Sequence, residues 1–312
     1  MSSEQHKILV IKLGALGDFI QALGPMKAIR KHHPDAHITL LTTKPFKSFA
    51  EKSEYFDDIW LDARPKFHQP LKWLNLRKKL NTGKFSRVYD LQNNDRTSIY
   101  FKLFFPKPEW SGAVKNASHQ NANPDRSKGL AFYGHKETLA IAGINNVEID
   151  TLEWIKADIS FFNLKKNYAL IVAGCAPTRP EKRWPTGYFI SLCSHLIDQE
   201  VQVVLLGTDS EKDIVKQIHD ACPQALNLTG KTSLFDLAAL ARKATIAIGN
   251  DTGPMHIIAP TGCKTLVLFS GHSKPVKHAP LGAHVSTLQE NNLKDLKPES
   301  VIDAVRNLLK QV

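Results

Sequence analysis

A loop near the middle of the chain places several cationic and hydroxyl side chains directly after an apolar run. The loop reads "GCAPTRPEKRWPTGYF" (174–189) and follows the strand-like run "YALIVAG". Cations and a hydroxyl at the carboxyl end of a strand are suited to binding a diphosphate. A solvated basic loop is the alternative, but three prolines and Trp184 disfavour it because a freely solvated loop seldom needs such rigidity. The candidate anion-binding side chains are Thr178, Arg179, Lys182 and Arg183.

A second stretch, "NDTGPMHIIAPTG", follows the apolar run "TIAIG". Pro254 suits a first helical turn, where its missing N–H costs nothing. Asp251 or Thr252 can cap that helix, and Gly253 lets a ligand approach the backbone. These features predict an anion site at a helix start. A capped helix without a ligand, with His256 as a half-buried hydrogen-bonded side chain, explains the same spacing equally well.

A third stretch, "KILVIKLGALGDFIQALGPMKAI" (7–29), begins like a nucleotide-binding unit with an apolar strand, a glycine-containing turn and a helix. The start of a helix attracts phosphate because its free N–H groups point outward. Asp18 stands in that turn, however, and its negative charge would repel phosphate. On spacing alone, an N-terminal helix cap worth about 1 kcal/mol explains this carboxylate.

Other motifs are weak or missing. Glu211 in "LLGTDSEKD" can accept hydrogen bonds from ribose hydroxyls, but a first-turn Glu that favours the helix dipole is the stronger explanation. There is no G-x-x-x-x-G-K-[ST], no G-x-G-x-x-G and no G-x-S-x-G. The sequence also lacks a C-x-x-C pair for zinc and a D-x-D pair for Mg²⁺, so we expect no metal site. His135 is expected on the surface of a helix.

Apolar β-rich runs alternate with helical patterns along the chain, which is typical of parallel sheets with crossover helices. The pattern predicts two doubly wound α/β domains, 1–162 and 163–312, whose ligands bind beyond the carboxyl ends of the strands. Two such domains facing each other would have a cleft between them. The helix 298–312 is expected to pack back on the first domain. The polar stretch 115–129 is expected to be a mobile functional loop or a disordered connection.

We predict strands at "KILVIKL", "HITLLT", "DDIWL", "RVYDLQ", "YALIVAG", "VQVVLLG", "ALNL", "TIAIG" and "KTLVLFS". The predicted helices lie near 17–32, 45–53, 68–81, 95–104, 135–143, 186–199, 209–221, 233–243 and 254–260.

The charge of the chain points to an anionic partner. Its 312 residues carry 41 Lys and Arg against 30 Asp and Glu, a net charge of +11. A protein this basic usually meets nucleic acid, an acidic membrane surface or phosphorylated ligands. No apolar run reaches the roughly 18 residues of a membrane span, and the start "MSSEQHKILV" does not read as a signal peptide. Four well-separated cysteines are typical of buried thiols in a reducing cytosol.

Taken together, the three stretches resemble glycosyltransferase family 9, the ADP-heptose:lipopolysaccharide heptosyltransferases. The resemblance is carried by "ILVIKLGALGDFIQALGPMKAIRKHHPDAHITLLT", by "TRPEKRWP", which is similar to T-R-x-x-K-x-W-P, and by "NDTGPMHIIA", which is similar to D-T-G-x-x-H. It implies a GT-B fold of two facing Rossmann-like domains, with the second holding the donor. The sequence departs from the family at Gly14-Ala15, where many members carry Ser or Thr, and at Pro177 and Pro180.

The resemblance also implies an inverting, metal-independent transfer of heptose or a similar sugar from an ADP-sugar, with no cofactor. By the resemblance, the catalytic residues are Asp18, as the base, and Lys182, beside the phosphates. The implied donor-binding residues are Thr178, Arg179, Glu211, Asp251, Thr252, Gly253 and His256. A carboxylate base at a helix start would take the proton of the acceptor hydroxyl, while the diphosphate would bind the second domain instead.

The implied acceptor is an anionic glycolipid of the Kdo-lipid A type, which places the protein in the cytoplasm and peripheral to the inner membrane. Arg64, Lys66 and Lys72 are candidate acceptor-binding residues, and the run Arg77 to Lys79 is more often just solvated. A non-catalytic or protein-directed member is the alternative. A nucleic-acid binder is disfavoured because no RNP, KH or helix-turn-helix signal is present, so no nucleic-acid partner is expected.

Overall fold

The computed structural model describes residues 6–310, and the chain divides into two compact units, Met1–Asp150 and Thr151–Val312. This division lies before the expected boundary at 162/163 and assigns the segment 151–162 to the second unit. Arg242 of the second unit explains the assignment, because its guanidinium donates to the carbonyl oxygens of Leu152 at 2.8 Å and Ile155 at 3.3 Å.

The first unit is a doubly wound parallel sheet in the order β3-β2-β1-β4-β5-β6. The sheet turns from one winding direction to the other between β1 and β4, so the carboxyl ends of these two strands mark the expected ligand site of the unit. Its strands are β1 (Lys7–Ile11), β2 (His37–Thr42), β3 (Asp58–Leu61), β4 (Arg87–Asp90), β5 (Glu109–Gly112) and β6 (His119–Gln120). Its helices are α1 (Leu16–His32), α2 (Lys47–Ser53), α3 (Pro70–Thr82), α4 (Asp95–Leu103) and α5 (Ala131–Ile141).

The second unit repeats the same topology in the order β12-β11-β10-β7-β8-β9, with all pairs parallel. Here the switch point lies between β7 and β10. Its strands are β7 (Tyr168–Val172), β8 (Gln202–Leu206), β9 (Leu226–Asn227), β10 (Ile246–Asn250), β11 (Thr265–Ser270) and β12 (Val285–Glu290). Its helices are α6 (Thr186–Asp198), α7 (Lys212–Ala221), α8 (Leu234–Lys243), α9 (Gly253–Ile258), α10 (Pro275–His278) and α11 (Pro298–Lys310).

The central strands read as continuous apolar runs because helices cover both faces of each sheet. Every residue of β7, β10 and β11 is buried, and β1 is buried after its first residue. The sheet core of the second unit also takes up the buried face of α11 through Val301, Val305 and Leu308. This helix therefore packs into the core of its own unit. Its last expected residues, 311–312, lie outside the described residues.

The edges of the sheets differ from the sequence prediction. The apolar pattern does not predict strands β5, β6 and β12, because β5 and β6 are short and β12 mixes half-buried and exposed residues without an apolar run. The stretch 115–129 is not structureless throughout. His119–Gln120 forms the edge strand beside β5, and the buried Asn121 amide donates to the Thr138 hydroxyl at 3.0 Å.

Within residues 6–310, no helix combines the length and the apolar character that a membrane span needs.

Candidate active site

Asn250 organises the switch point of the second unit. It ends β10 with its side chain fully buried, and its amide nitrogen donates to the carbonyl oxygens of Ala173 at 2.7 Å and Gly174 at 3.3 Å, just beyond β7. Its amide oxygen accepts from the backbone N–H of Trp184 at 3.0 Å. One side chain therefore joins the ends of both central strands to the basic loop.

This arrangement predicts that Asn250→Ala destabilises the second unit. The substitution leaves the N–H of Trp184 and the carbonyl of Ala173 without their partner in a buried place, at a cost of about 1–3 kcal/mol for each such group. We expect the free energy of unfolding in urea to fall by about 2–4 kcal/mol. Asn292→Ala, an exposed change in the same unit, serves as the control, and an equal effect of the two substitutions would contradict the assignment.

Lys182 and Asp251 form an ion pair at the same switch point. The Lys182 Nζ lies 2.6 Å from Asp251 Oδ2, and the Ser273 hydroxyl donates to the same oxygen at 2.6 Å. The lysine side chain is 18% exposed and the aspartate side chain 6%. An ammonium carries three N–H donors, and the contact with Asp251 needs one. The pair therefore fixes a cation whose other donors can bind an anion.

The rest of the loop is held rigidly, in agreement with the expectation from its prolines and tryptophan. The Trp184 side chain is 2% exposed, and its indole N–H donates to Leu296 O at 2.8 Å. Arg183 donates to Cys175 O at 3.2 Å, across the base of the loop. Thr178 and Arg179 are exposed on the loop, and Arg179 forms an ion pair with Glu181.

The start of α9 differs in detail from the expectation. Thr252 is the N-cap residue, but its side chain makes no capping hydrogen bond, and the Asp251 carboxylate is engaged by Lys182 and Ser273. The predicted side-chain cap is therefore wrong. Gly253 and Pro254 begin a helix of six residues, and the side chain of His256 on this helix is half-buried.

Glu211 lies beyond the end of β8, beside Gly174. A Cβ atom on Gly174 would come within 2.0 Å of Glu211 Cγ, so glycine is needed there for the close approach. The carboxylate accepts from the Thr208 backbone N–H at 2.8 Å and the Ser210 hydroxyl at 2.6 Å. Burial acts to raise the pKa of Glu211, but these hydrogen bonds and the charge of Arg183 bring the pKa below its ordinary value. The structure thus places Glu211 in the first turn, as spacing favoured, and gives it a part in the capping box of Thr208.

Asp18 lies at the switch point of the first unit, two residues into α1, and is exposed. The N-cap residue of α1 is Ala15, and it makes no side-chain cap. Asp18 therefore does not occupy the N-cap position that the alternative explanation requires. Its charge acts on Lys12, whose pKa it raises against the lowering caused by burial.

A buried polar cluster, which motif spacing does not predict, lies beneath this turn. Lys12 is 3% exposed, and its Nζ donates to Leu91 O at 3.0 Å and lies 3.4 Å from His135 Nε2. Burial lowers the pKa of Lys12 to about 8, against the raising effect of Asp18 and Asp90. His135 is 5% exposed, so its expected surface position is wrong, and burial and the charge of Lys12 hold its pKa well below the ordinary value. In the sequence, this cluster is indicated by the position of Lys12 near the end of the otherwise apolar run "KILVIKL".

Asp90 completes the cluster at the end of β4. Its side chain is buried and accepts from the backbone N–H groups of Gln92 at 3.0 Å and Asn93 at 2.9 Å. Burial raises the pKa of Asp90 to about 6, although these hydrogen bonds, that of Thr97 and the charge of Lys12 act to lower it.

This raised pKa predicts a pH-dependent effect of Asp90→Asn on stability. Between the unfolded pKa of about 4 and the folded pKa of about 6, the folded wild type binds more protons than the unfolded chain, so its stability falls as the pH rises. The side chain of the asparagine variant does not titrate, so its free energy of unfolding does not fall with pH in this way. We expect its free energy of unfolding, measured in urea relative to wild type, to improve by about 2 kcal/mol between pH 4 and pH 7. A difference that stays constant with pH would contradict the shift.

The candidate acceptor-binding residues lie in the first unit around the start of α3. Arg64 and Lys66 occupy the preceding loop, Lys72 lies in the first turn of the helix, and all three side chains are exposed. The backbone N–H of Arg64 donates to Asp62 at 2.8 Å, which fixes this loop locally.

Within the described residues, no group of three or more His, Cys, Asp or Glu side chains is placed to hold a metal ion.

Comparison with known proteins identifies the family. The sequence model described as "Glycosyltransferase family 9 (heptosyltransferase)" matches residues 144–305, a little over half of the chain. The chain belongs to glycosyltransferase family 9. This match confirms the resemblance seen in the sequence. The chain is therefore a glycosyltransferase.

Curated relatives and solved structures agree with this assignment. The lipopolysaccharide core heptosyltransferase OpsX of Haemophilus influenzae is 24% identical over 94% of this chain and 88% of its own length. A family 9 glycosyltransferase from Veillonella parvula superposes with a TM-score of 0.78 at 22% identity, covering 100% of this chain and 99% of its own. The Escherichia coli heptosyltransferase WaaC with ADP has a TM-score of 0.73 at 16% identity, covering 97% and 99%. The predicted GT-B class, with two Rossmann-like units, is confirmed.

Proposed function

We propose that this family 9 enzyme transfers a heptose from ADP-heptose to the inner core of lipopolysaccharide, without a metal ion and with inversion at the anomeric carbon. The Lys182–Asp251 pair at the switch point of the second unit carries the proposal, because it fixes a partly exposed cation where doubly wound folds bind their ligands. Relatives named as heptosyltransferases of the lipopolysaccharide core support the choice of sugar and acceptor.

The donor binds the second unit in this proposal. Asp251, which also accepts from the Ser273 hydroxyl, holds the Lys182 ammonium toward the diphosphate. Thr178, Arg179 and the start of α9 are further donors. When the anomeric C–O bond breaks, the negative charge of the leaving ADP increases. A cation fixed before the reaction stabilises that charge without reorganising, which is the usual basis of such catalysis. Glu211 accepts hydrogen bonds from the ribose hydroxyls, and His256 on α9 is a further proposed contact of the donor.

The acceptor binds the first unit. Its hydroxyl oxygen attacks the anomeric carbon of the donor and forms the new glycosidic bond while the bond to the diphosphate breaks. Asp18 takes the proton of that hydroxyl, for which it needs to be ionised and accessible, and the side chain is exposed.

The acceptor we propose is a Kdo-lipid A glycolipid at the cytoplasmic face of the inner membrane. Its phosphates and carboxylates match the net charge of +11, and Arg64, Lys66 and Lys72 are the proposed contacts. Lysine and arginine side chains bind such groups through charge-assisted hydrogen bonds.

A donor screen tests the sugar and the nucleotide. Purified protein is mixed with ADP-heptose, GDP-sugars or UDP-sugars, and thermal shift and donor consumption are read with and without Kdo-lipid A. We expect stabilisation by ADP-heptose and its consumption only with the acceptor. Binding of ADP without consumption would support a non-catalytic member, and consumption with a protein acceptor only would support a protein-directed one. Either result overturns the proposed reaction.

A further inference from the structure

The loop between β3 and α3, residues 62–69, carries two of the proposed acceptor contacts on a backbone that the rest of the unit holds in place. Arg64 and Lys66 are exposed, whereas Pro65 between them is buried. Arg64 has a φ of 45°, in the left-handed region that residues other than glycine rarely adopt. Such a conformation persists only where surrounding contacts hold it, and it is found mostly at functional sites. The contacts that hold Arg64 are therefore candidates for a functional role.

Asp62 fixes the start of the loop with both oxygens of its carboxylate. The residue is 8% exposed. Its Oδ1 accepts from the backbone N–H of Arg64 at 2.8 Å, and its Oδ2 accepts from the Tyr100 hydroxyl at 2.6 Å. The backbone N–H of Asp62 donates to Thr42 O at 2.8 Å, at the end of β2. The carboxylate therefore connects the backbone of Arg64 both to the sheet and to α4.

Tyr100 and Arg96 contribute to this network from α4. Tyr100 is fully buried, and burial together with the hydrogen bond to Asp62 raises the pKa of its hydroxyl, which stays protonated and donates. Arg96 donates to Pro65 O at 3.2 Å and to the Tyr100 hydroxyl oxygen at 3.4 Å. One helix thus holds two consecutive positions of the loop, the first through Asp62 and the second directly.

Trp73 and Gln69 hold the next residue. The Trp73 indole N–H donates to Lys66 O at 3.1 Å, and the backbone N–H of Lys66 donates to Gln69 Oε1 at 3.1 Å. The Arg96 guanidinium lies 5.9 Å from the centre of the Trp73 ring. Residues 64, 65 and 66 are therefore each hydrogen-bonded through their backbone to a side chain outside the three.

The network lies at the edge of the sheet where the proposed base lies. Asp62 directly follows β3 and Asp18 follows β1, and the carboxyl ends of parallel strands lie at the same edge of a sheet. Helix α4, with Arg96 in its first turn, begins beyond β4, the strand next to β1. The loop 62–69 therefore lies on the side of the first unit where doubly wound folds bind their ligands.

We propose that Tyr100 and Asp62 are positioning residues for the acceptor, which hold the backbone of Arg64 so that its guanidinium meets an acidic group of the acceptor. A guanidinium binds phosphate and carboxylate groups with two parallel hydrogen bonds, so its placement matters more than that of a lysine. A backbone that is fixed beforehand loses less conformational freedom on binding. The inference deepens the acceptor site of the proposed function and rests on that function for the identity of the acceptor.

Acceptor binding and transfer kinetics test the inference together. The full chain and its variants are titrated with de-acylated Kdo-lipid A, a water-soluble form of the proposed acceptor. KM and kcat are measured with the same compound and ADP-heptose. We expect Tyr100→Phe to raise Kd and KM for the acceptor by about three- to tenfold, because one hydrogen bond to a carboxylate is lost and part of its effect reaches Arg64. The affinity for ADP, and kcat at saturating acceptor, should stay close to the wild-type values.

Two further variants separate positioning from general stability. Arg96→Met removes the bond to Pro65 O from a half-buried side chain and should weaken acceptor binding in the same direction. In an Arg64→Gln background, Tyr100→Phe should have no further effect on the acceptor Kd, because the positioning acts through Arg64. A merely structural role of Tyr100 would weaken binding equally in both backgrounds.

The matched control is Tyr89→Phe on β4. It removes the hydroxyl of an equally buried tyrosine of the same unit, which lies 2.7 Å from His33 Nε2. It should bind the acceptor as wild type does. Hydrogen exchange of the Arg64 and Lys66 amides gives a measurement that needs no activity. The exchange should become faster in Tyr100→Phe and Arg96→Met and stay unchanged in Tyr89→Phe.

Three results would overturn the inference. In the first, Tyr100→Phe and Arg96→Met bind the acceptor as tightly as wild type. In the second, Tyr100→Phe weakens binding as much in the Arg64→Gln background as in wild type. In the third, neither variant changes the exchange of the loop amides. A wild type that binds the acceptor but transfers no heptose would refute the proposed reaction alone, because the effect of Tyr100→Phe on acceptor binding still decides the inference.

Discussion

Replacing Asp18 with asparagine is expected to lower the rate of sugar transfer by about 10²–10⁴-fold, the usual contribution of a general base. An amide of the same shape cannot accept the proton of the acceptor hydroxyl. Because Asp18 is exposed and is not the N-cap residue of α1, the fold should be retained. Single-turnover assays measure the rate of transfer, ADP titration measures donor binding and thermal unfolding measures stability. Only the rate of transfer should change greatly.

The chain offers a matched control for this substitution in Asp95→Asn. Asp95 is likewise an exposed aspartate in the first turn of a helix of the first unit. A purely electrostatic effect on a helix start would change both variants alike, by less than about 1 kcal/mol in stability. If Asp18→Asn transfers sugar as fast as Asp95→Asn does, Asp18 is not the base.

Lys182→Ala is the second substitution with a large expected effect. It removes the cation that Asp251 holds in place, together with its charge-assisted hydrogen bonds to the diphosphate. We expect ADP to bind about 10–100-fold more weakly, from the roughly 1.5–3 kcal/mol of a hydrogen bond to a charged group. The value of kcat/KM for transfer should fall by about 10²–10³-fold, because the leaving group gains charge in the transition state.

The control for Lys182→Ala has to separate donor binding from stability. Lys216→Ala removes an exposed lysine of the same unit that pairs with Asp220, and it should leave ADP binding unchanged. Lys182→Ala also leaves Asp251 buried without its cation, so the double variant Lys182→Met/Asp251→Asn is measured beside it. An ADP affinity equal to wild type in either Lys182 variant would show that this lysine does not bind the diphosphate.

Much of the fold could be predicted because the central strands are continuous apolar runs separated by helical periodicity. Strands such as β7 and β10 are buried on both faces, and burial on both faces requires a continuous apolar run. The edge strands β6 and β12 carry no such pattern, since their short or half-exposed segments are stabilised by pairing with a neighbour. Strand pairing is a long-range contact that local spacing does not encode.

The site was predictable only in part for a related reason. Motif spacing singled out Asp18, Lys182 and Asp251, but no spacing connects Asp251 with Ser273, whose contact depends on how two strand ends meet. The Lys12–His135 contact joins residues 123 positions apart, so a histidine on an ordinary helical pattern was placed on the surface. Whether a charged side chain is buried depends on tertiary packing, and the local pattern of polar residues does not predict tertiary packing.

The product of the reaction tests the central claim most directly. Purified protein is incubated with ADP-heptose and Kdo-lipid A, ADP release is quantified, and the anomeric configuration of the glycolipid product is determined by NMR. We predict one ADP released per heptosylated glycolipid, with the anomeric configuration opposite to that of the donor. A product with the donor's configuration, or ADP released without any heptosylated glycolipid, would contradict a direct displacement assisted by Asp18 and Lys182.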